Sequence, residues 1–220
     1  MFSRKSTIIA TTFIAFMFLV FVPLVYAATE YKMTDYWPFK EGSWWEYNDG
    51  KIEITGTEEI DGINTFKYLD TGSCGGEDGE EVNVFNDDTK GFGFFLQSED
   101  GSYFLIKISE PYVKKGDKTT ASFKEDVDNQ VTLITKLEGT ANVVVPAGKF
   151  KRCLRFSVKQ ELVDKDGNHS YYTEKFYLAK GVGLVKVVRI KESANDVGCA
   201  FGPCCLDVFN GIRKLKDYSN

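Results

Sequence analysis

Five Asp-Gly dipeptides, Asp49-Gly50, Asp61-Gly62, Asp78-Gly79, Asp100-Gly101 and Asp166-Gly167, separate runs rich in β-branched and aromatic residues. A type I′ turn needs positive φ at both central positions, which Asp tolerates and Gly adopts freely. Flanked Asp-Gly is therefore a hairpin signal, and five of them predict an antiparallel all-β protein made of consecutive hairpins. No stretch keeps a helical period. Strands are expected at Ser43–Tyr47, Lys51–Glu58, Ile63–Leu69, Glu81–Phe85, Gly91–Gln97 and Ser102–Ser109. Further strands are expected at Gln130–Leu137, Thr140–Val145, Phe150–Val163, Ser170–Leu178 and Gly183–Lys191, with a last one inside Asp207–Tyr218. Tyr31–Gly42 reads as an irregular lead-in, Thr71–Glu80 as a Gly- and acid-rich loop, and Tyr112–Lys118 as a basic connection.

The first 27 residues have the pattern of a cleavable secretory leader. Arg4 and Lys5 form a basic start, Ile8 to Val22 is apolar, Pro23 breaks the run, and Val25-Tyr26-Ala27 offers small residues to a signal peptidase. Thr7 to Ala28 is also long enough to serve as an uncleaved anchor, but Pro23 and the cleavage pattern favour removal. No Cys stands at the cleavage point, which argues against a lipid anchor. Removal leaves 28–220, a length suited to one domain. It takes Arg4 and Lys5 away and moves the net charge from −5 to −7. So acidic a chain is a poor partner for nucleic acid or an anionic membrane surface. The expected location is periplasmic or extracellular.

Five cysteines, Cys74, Cys153, Cys199, Cys204 and Cys205, lie in the exported part, where disulfides persist. An odd number leaves at least one thiol free or paired outside the chain. Gly198 to Cys205 holds three in a Gly- and Pro-containing loop. Its spacing lacks paired Cys-x-x-Cys ligands and no His is near, so disulfide use is favoured over zinc. In Phe150–Val158, alternation puts Phe150, Leu154, Phe156 and Val158 on one face and Lys151, Cys153, Arg155 and Ser157 on the other. One apolar and one wet face predict a sheet that curls to bury a single side. Cys153 would then point to the wet face, available to the Cys199–Cys205 loop or to Cys74.

Three segments carry a resemblance. Val145-Pro146-Ala147-Gly148-Lys149-Phe150 followed by Cys153-Leu154, then Phe176 to Lys186, and the earlier Tyr36 to Tyr47 resemble motifs shared by uncharacterised exported bacterial proteins and lipoproteins. The pattern is a "PaGtF…clkv" strand followed by a "yapGvGlVk" turn, after a "yfPl-G-W-Y" opening. The resemblance implies a curved antiparallel sheet, similar to the half-barrels of lipoprotein carriers, and it brings no activity with it. Lys180 stands where Pro is usual in the pattern, and the lipidation Cys common there is missing.

Each candidate site has a structural reading beside it. Asp70-Thr71-Gly72-Ser73 matches the aspartic-peptidase tetrapeptide, in which two carboxylates share a proton. A single copy would need a homodimer, and an acidic glycine-rich run follows it, so a strand-ending turn is the better reading. Asp164 to Asn168 begins like a calcium loop, but Gly falls at the fourth place and Lys175 at the twelfth, where Glu belongs. His169, the single histidine, reads as a surface residue beside a hairpin turn. Trp37, Trp44 and Trp45 are all the tryptophans; Trp44 and Trp45 are adjacent in a strand and must face opposite sides.

The sequence thus predicts one exported β domain, a single curved antiparallel sheet of half-barrel or open-barrel form with little helix. It is read as a non-enzyme that uses no cofactor and no metal and binds an apolar or amphipathic ligand, a lipid for instance, on the concave face. Trp37, Trp44, Trp45 and Phe156 are the candidate contacts. The alternatives are a structural or assembly component acting on another envelope protein, and a hydrolase using Asp70.

Overall fold

The computed structural model describes residues 28–72, 79–97, 101–124, 130–163, 165–191 and 212–219. Fourteen strands and one helical turn form in the order β1 (Glu30–Lys32), α1 (Met33–Tyr36), β2 (Trp44–Tyr47), β3 (Gly50–Ile60), β4 (Ile63–Asp70), β5 (Glu80–Asp87), β6 (Gly91–Gln97), β7 (Tyr103–Ser109), β8 (Tyr112–Lys114), β9 (Lys118–Lys124), β10 (Gln130–Val145), β11 (Gly148–Val163), β12 (His169–Ala179), β13 (Gly183–Lys191) and β14 (Ile212–Ser219). Twelve of the strands make one antiparallel sheet in the order β7-β6-β5-β4-β3-β2-β14-β13-β12-β11-β10-β9. Its two outer strands, β7 and β9, come to lie side by side without a hydrogen-bonded ladder. The sheet is therefore a barrel closed everywhere except along one seam, the curled form that a sheet with one apolar face requires.

Turn chemistry explains the hairpins, with one refinement. Of the three Asp-Gly pairs wholly within the described residues, Asp61-Gly62 alone has positive φ at both positions (51° and 71°) and joins Ile60 to Ile63 as a two-residue type I′ turn. Asp49 and Asp166 keep negative φ, and the positive φ falls on Gly50 and Gly167 alone. Asp78 and Asp100 lie outside the described residues. Gly50 has a further reason to be glycine, since a Cβ there would collide with the backbone of Gly72.

Two parts read from sequence as irregular carry structure. The lead-in holds β1 and α1, and Tyr112–Lys118 holds β8 and the start of β9. β8 pairs with β1 rather than with the barrel. The pairing leads the chain into one end of the barrel as a plug. There Met33 N–H donates to Pro111 O, and Asn86 Nδ2 donates to Trp37 O at 2.7 Å. Gly181 N–H also donates to Asp35 O. Met33, Tyr36 and Trp37 are buried by this arrangement.

The segments expected as two strands before Val145 are one strand, β10, bulged at Gly139 (φ 130°). A second bulge lies opposite Asn142, where Ala141 pairs with Cys153 but Val143 pairs with Phe150. The extra residue is Arg152, at φ 54°, and it moves Phe150 out of phase with Leu154 and Phe156 and into phase with Cys153. Cys153 keeps the strand phase of Arg155 and Ser157, yet its surroundings are not wet. Its free thiol is completely buried in the core with Leu154, and burial pushes it up to about 11. Cys74, Cys199, Cys204 and Cys205 lie outside the described residues.

The main core fills the plugged half of the barrel around Trp45, Tyr47, Ile54, Leu137 and Leu215. The outer face is not uniformly wet either. Ile60, Phe85 and Phe95 form a small outer cluster with Ile63 and Tyr103, opposite in strand parity to the inward-facing Val84 and Phe94.

Candidate functional site: an apolar cavity with a charged end

Strand pairing lines up the inward side chains in rows. One row runs Thr135, Val158, Glu174, Arg189 across β10 to β13. The next runs Leu137, Phe156, Phe176, Val187, Arg213 across β10 to β14. Both rows begin apolar or hydroxylic and end charged. Between the plug and these charged ends the barrel keeps a cavity of about 290 Å³. Met33, Trp37 and Phe92 bound it at the plug, and Val84, Phe94, Leu133, Phe156 and Phe176 form its walls. Close-packed interiors leave few voids larger than a water molecule, so a space of this size is a feature of the fold.

At the charged end Arg213 organises a buried trio. Its Nε donates to Asp49 Oδ2 at 2.6 Å and its Nη1 to Asp70 Oδ2 at 2.7 Å, and the guanidinium lies 5.2 Å from the Tyr47 ring centre. The side chains of Arg213 and Asp49 are 6% and 0% exposed. Gly72 closes over the trio: its N–H donates to Asp70 Oδ1, and a Cβ there would press on Arg213 Nη2. Burial by itself disfavours charge on Arg213, but the hydrogen bond and charge of Asp70 outweigh it and hold the guanidinium ionised. Burial, reinforced by the charge of Asp70, pushes the Tyr68 hydroxyl far up, so it stays protonated. Beside the trio, Arg189 Nε donates to Glu174 Oε1 at 2.9 Å. The described residues here comprise three carboxylates and two guanidiniums.

Of the sequence candidates, Trp37 and Phe156 line the cavity. Trp37 stacks on Phe92 with ring centres 4.5 Å apart. Trp44 and Trp45 do face opposite sides. Trp45 is buried in the core with its Nε1 donating to Val182 O at 2.6 Å. Trp44 is half-buried under the Lys51 ammonium. Neither lines the cavity. Asp70 borders it, with both oxygens engaged by Arg213 and Gly72. His169 is exposed, its Nδ1 2.8 Å from Glu161 Oε1 and its ring stacked on Tyr171. Among the described residues no three His, Cys, Asp or Glu side chains converge as a metal site. Arg213, Arg189, Glu174 and Asp49 were not anticipated. A signal existed for three of them: each ionisable residue is in strand phase with buried apolar neighbours, Arg213 with Leu215, Arg189 with Val187, and Glu174 with Leu178.

Fold and site together define an antiparallel barrel, seamed along one side, that encloses an apolar cavity ending in buried ion pairs. No family model and no curated protein matches the chain. Two solved structures are similar. One is a candidate lipoprotein of Parabacteroides distasonis ATCC 8503, 13% identical, with 84% of this chain and 98% of that chain covered and a TM-score of 0.45. The other is a candidate exported protein with a YmcC-like fold from Bacteroides fragilis NCTC 9343, 10% identical, with 84% and 99% covered and a TM-score of 0.40.

Proposed function

We propose that this protein is an exported, non-catalytic binding domain that holds one apolar or amphipathic chain inside its barrel. The observation that carries the reading is the cavity of about 290 Å³ with apolar walls. Small-molecule pockets span about 300–1,000 Å³ and are mostly apolar with a few placed polar groups. This cavity stands at the lower bound, the size for a single chain or a small ring system rather than a diacyl lipid. The leader in 1–27 supports an envelope location. The engagement of both Asp70 oxygens supports a role for that residue in holding Arg213 rather than in proton transfer. The test is titration with a fluorescent single-chain lipid, read through energy transfer from Trp37, with native mass spectrometry for stoichiometry. Saturable one-to-one binding is expected. Absence of saturable binding at every chain length would sink the reading.

One observation favours a second reading, an envelope component acting through protein contacts. Edge strand β7 leaves Phe104 and Leu105 about half exposed, at 50% and 47%, and unpaired edges recruit strands from other chains. Crosslinking in intact cells at position 104 would trap a specific neighbour if this role operates.

A further inference from the structure

Beside the seam lies a second, smaller compartment of about 150 Å³, bounded by the end of β7, β8, the start of β9 and the middle of β10. It shares Ile108, Ser109, Thr135 and Phe156 with the main cavity, so the two spaces meet at these four side chains. Two of the four are hydroxylic and almost completely buried, Ser109 at 2% and Thr135 at 3% exposure. Ser109 Oγ has no hydrogen-bond partner among the described residues, and Thr135 makes no side-chain hydrogen bond among them. Buried hydroxyls are ordinarily satisfied. A polar group left unpaired at the junction of two cavities marks a place where a ligand supplies the partner.

The charges choose among head groups. Three charged side chains line the small compartment, Glu110, Asp117 and Lys118. Glu110 is held by Lys107 at 2.7 Å, and Asp117 Oδ2 accepts from the Lys114 N–H at 2.7 Å. The far end of the main cavity has three carboxylates against two guanidiniums, already paired with one another. Counted by their linings, Asp70 and Glu174 are level with Arg189 and Arg213 in the main cavity, and Glu110 and Asp117 outnumber Lys118 in the small compartment, so neither end has a surplus of cations for an anionic head group. A cationic head group would lose its hydration to carboxylates that each already accept from a donor.

We infer that the junction at Ser109 and Thr135 binds the uncharged polar head of a single-chain amphiphile, an ester or alcohol such as a monoacylglycerol. The tail lies in the main cavity and the head in the smaller compartment at the seam. The inference rests on the apolar-ligand reading above and specifies its chemistry.

The test compares four probes on the folded protein: monodecanoylglycerol, decanoate, decylammonium and decane. Monodecanoylglycerol is expected to bind at least about tenfold more tightly than either ion, the scale of one or two satisfied hydrogen bonds. Ser109→Ala with Thr135→Val is expected to remove that advantage while leaving decane binding unchanged. The urea midpoint should not fall, because Ser109→Ala deletes an unpartnered polar group. Either ion binding as tightly as the ester overturns the inference, and so does a double variant that keeps the preference. In both cases decane binding survives, and the cavity reading with it. Failure of decane and ester alike overturns both. The head-group comparison on the unaltered protein stands even if the double variant does not fold, and Ser109→Ala alone then serves as the variant.

Discussion

Replacing Arg213 by Met removes the cation from a site where two carboxylates depend on it. The Asp49 side chain is 0% exposed; its Oδ2 accepts from Arg213 Nε, and its Oδ1 has no partner among the described residues. Without the guanidinium, Asp49 becomes a buried carboxylate with no described donor. Asp70 is 16% exposed and keeps the Gly72 N–H, so it suffers less. Breaking a buried pair from one side costs about 3–5 kcal/mol, equivalent to a Tm drop of about 6–20 °C for a domain of this size. Adding Asp49→Asn removes the stranded charge. The double variant should therefore be about 2 kcal/mol more stable than the sum of the two single losses implies. Urea unfolding of the four proteins, followed by the far-UV β signal, gives each value. A loss below about 1 kcal/mol for Arg213→Met, or additivity within about 0.5 kcal/mol, would show that the trio is solvated and that the charged end is not a dry boundary of the cavity.

Filling the cavity with Val158→Phe should weaken single-chain lipid binding while costing less than the about 1–3 kcal/mol of an overpacked core; a full loss of that size in a urea titration would mean the space is not there. Gly50→Ala would drive a Cβ into the Gly72 backbone at φ 151° and should cost at least about 2 kcal/mol, with a midpoint unchanged from the parent as the contrary result. The Cys153 thiol should resist a thiol reagent in the native state and react on unfolding. Because burial raises its folded value to about 11 from about 9, the stability its neutral form contributes is complete below pH 9 and lost as pH rises toward 11; a Cys153→Ala variant should lack that component of the alkaline decline. Asn86→Ala frees the Trp37 carbonyl that anchors the plug and should cost about 1–3 kcal/mol, with a change in Trp37 fluorescence that a distant surface variant does not produce.

Much of the barrel is legible because its hairpins are local. Gly91–Gln97 and Gly183–Lys191 form strands at the expected bounds, and Asp61-Gly62 turns as its chemistry demands. β9 escaped because Lys118-Thr119-Thr120-Ala121 lacks large apolar side chains, so its alternation is weak although its burial alternates cleanly. Nothing in Lys151-Arg152-Cys153 marks a bulge: the positive φ falls on an Arg, and reading the alternation straight through put Phe150 in phase with Leu154 rather than with Cys153, while strand phase alone gave no sign that Cys153 is buried. Within the site, Trp37 and Phe156 could be named because aromatic and apolar residues announce a core. The Asp49–Arg213 contact could not, because its partners are 164 residues apart and no local pattern pairs them.

The junction of β2 with β14 has a consequence for how the chain assembles. Every other neighbouring pair within the twelve-stranded sheet is joined by consecutive strands. The Tyr47–Leu215 pairing alone must close a loop that contains nearly the whole domain. Loop-closure entropy grows only slowly with length, but non-local pairing slows folding well below the rate of sequential hairpins. Two meanders, β2 to β7 and β9 to β14, can form from local contacts on either side of the β8 connection. The Arg213 trio then sits on the line where they meet, since Asp49 and Asp70 come from the first meander and Arg213 from the second. The buried ion pairs that bound the cavity are thus also the register mark by which the two halves of the barrel find one another.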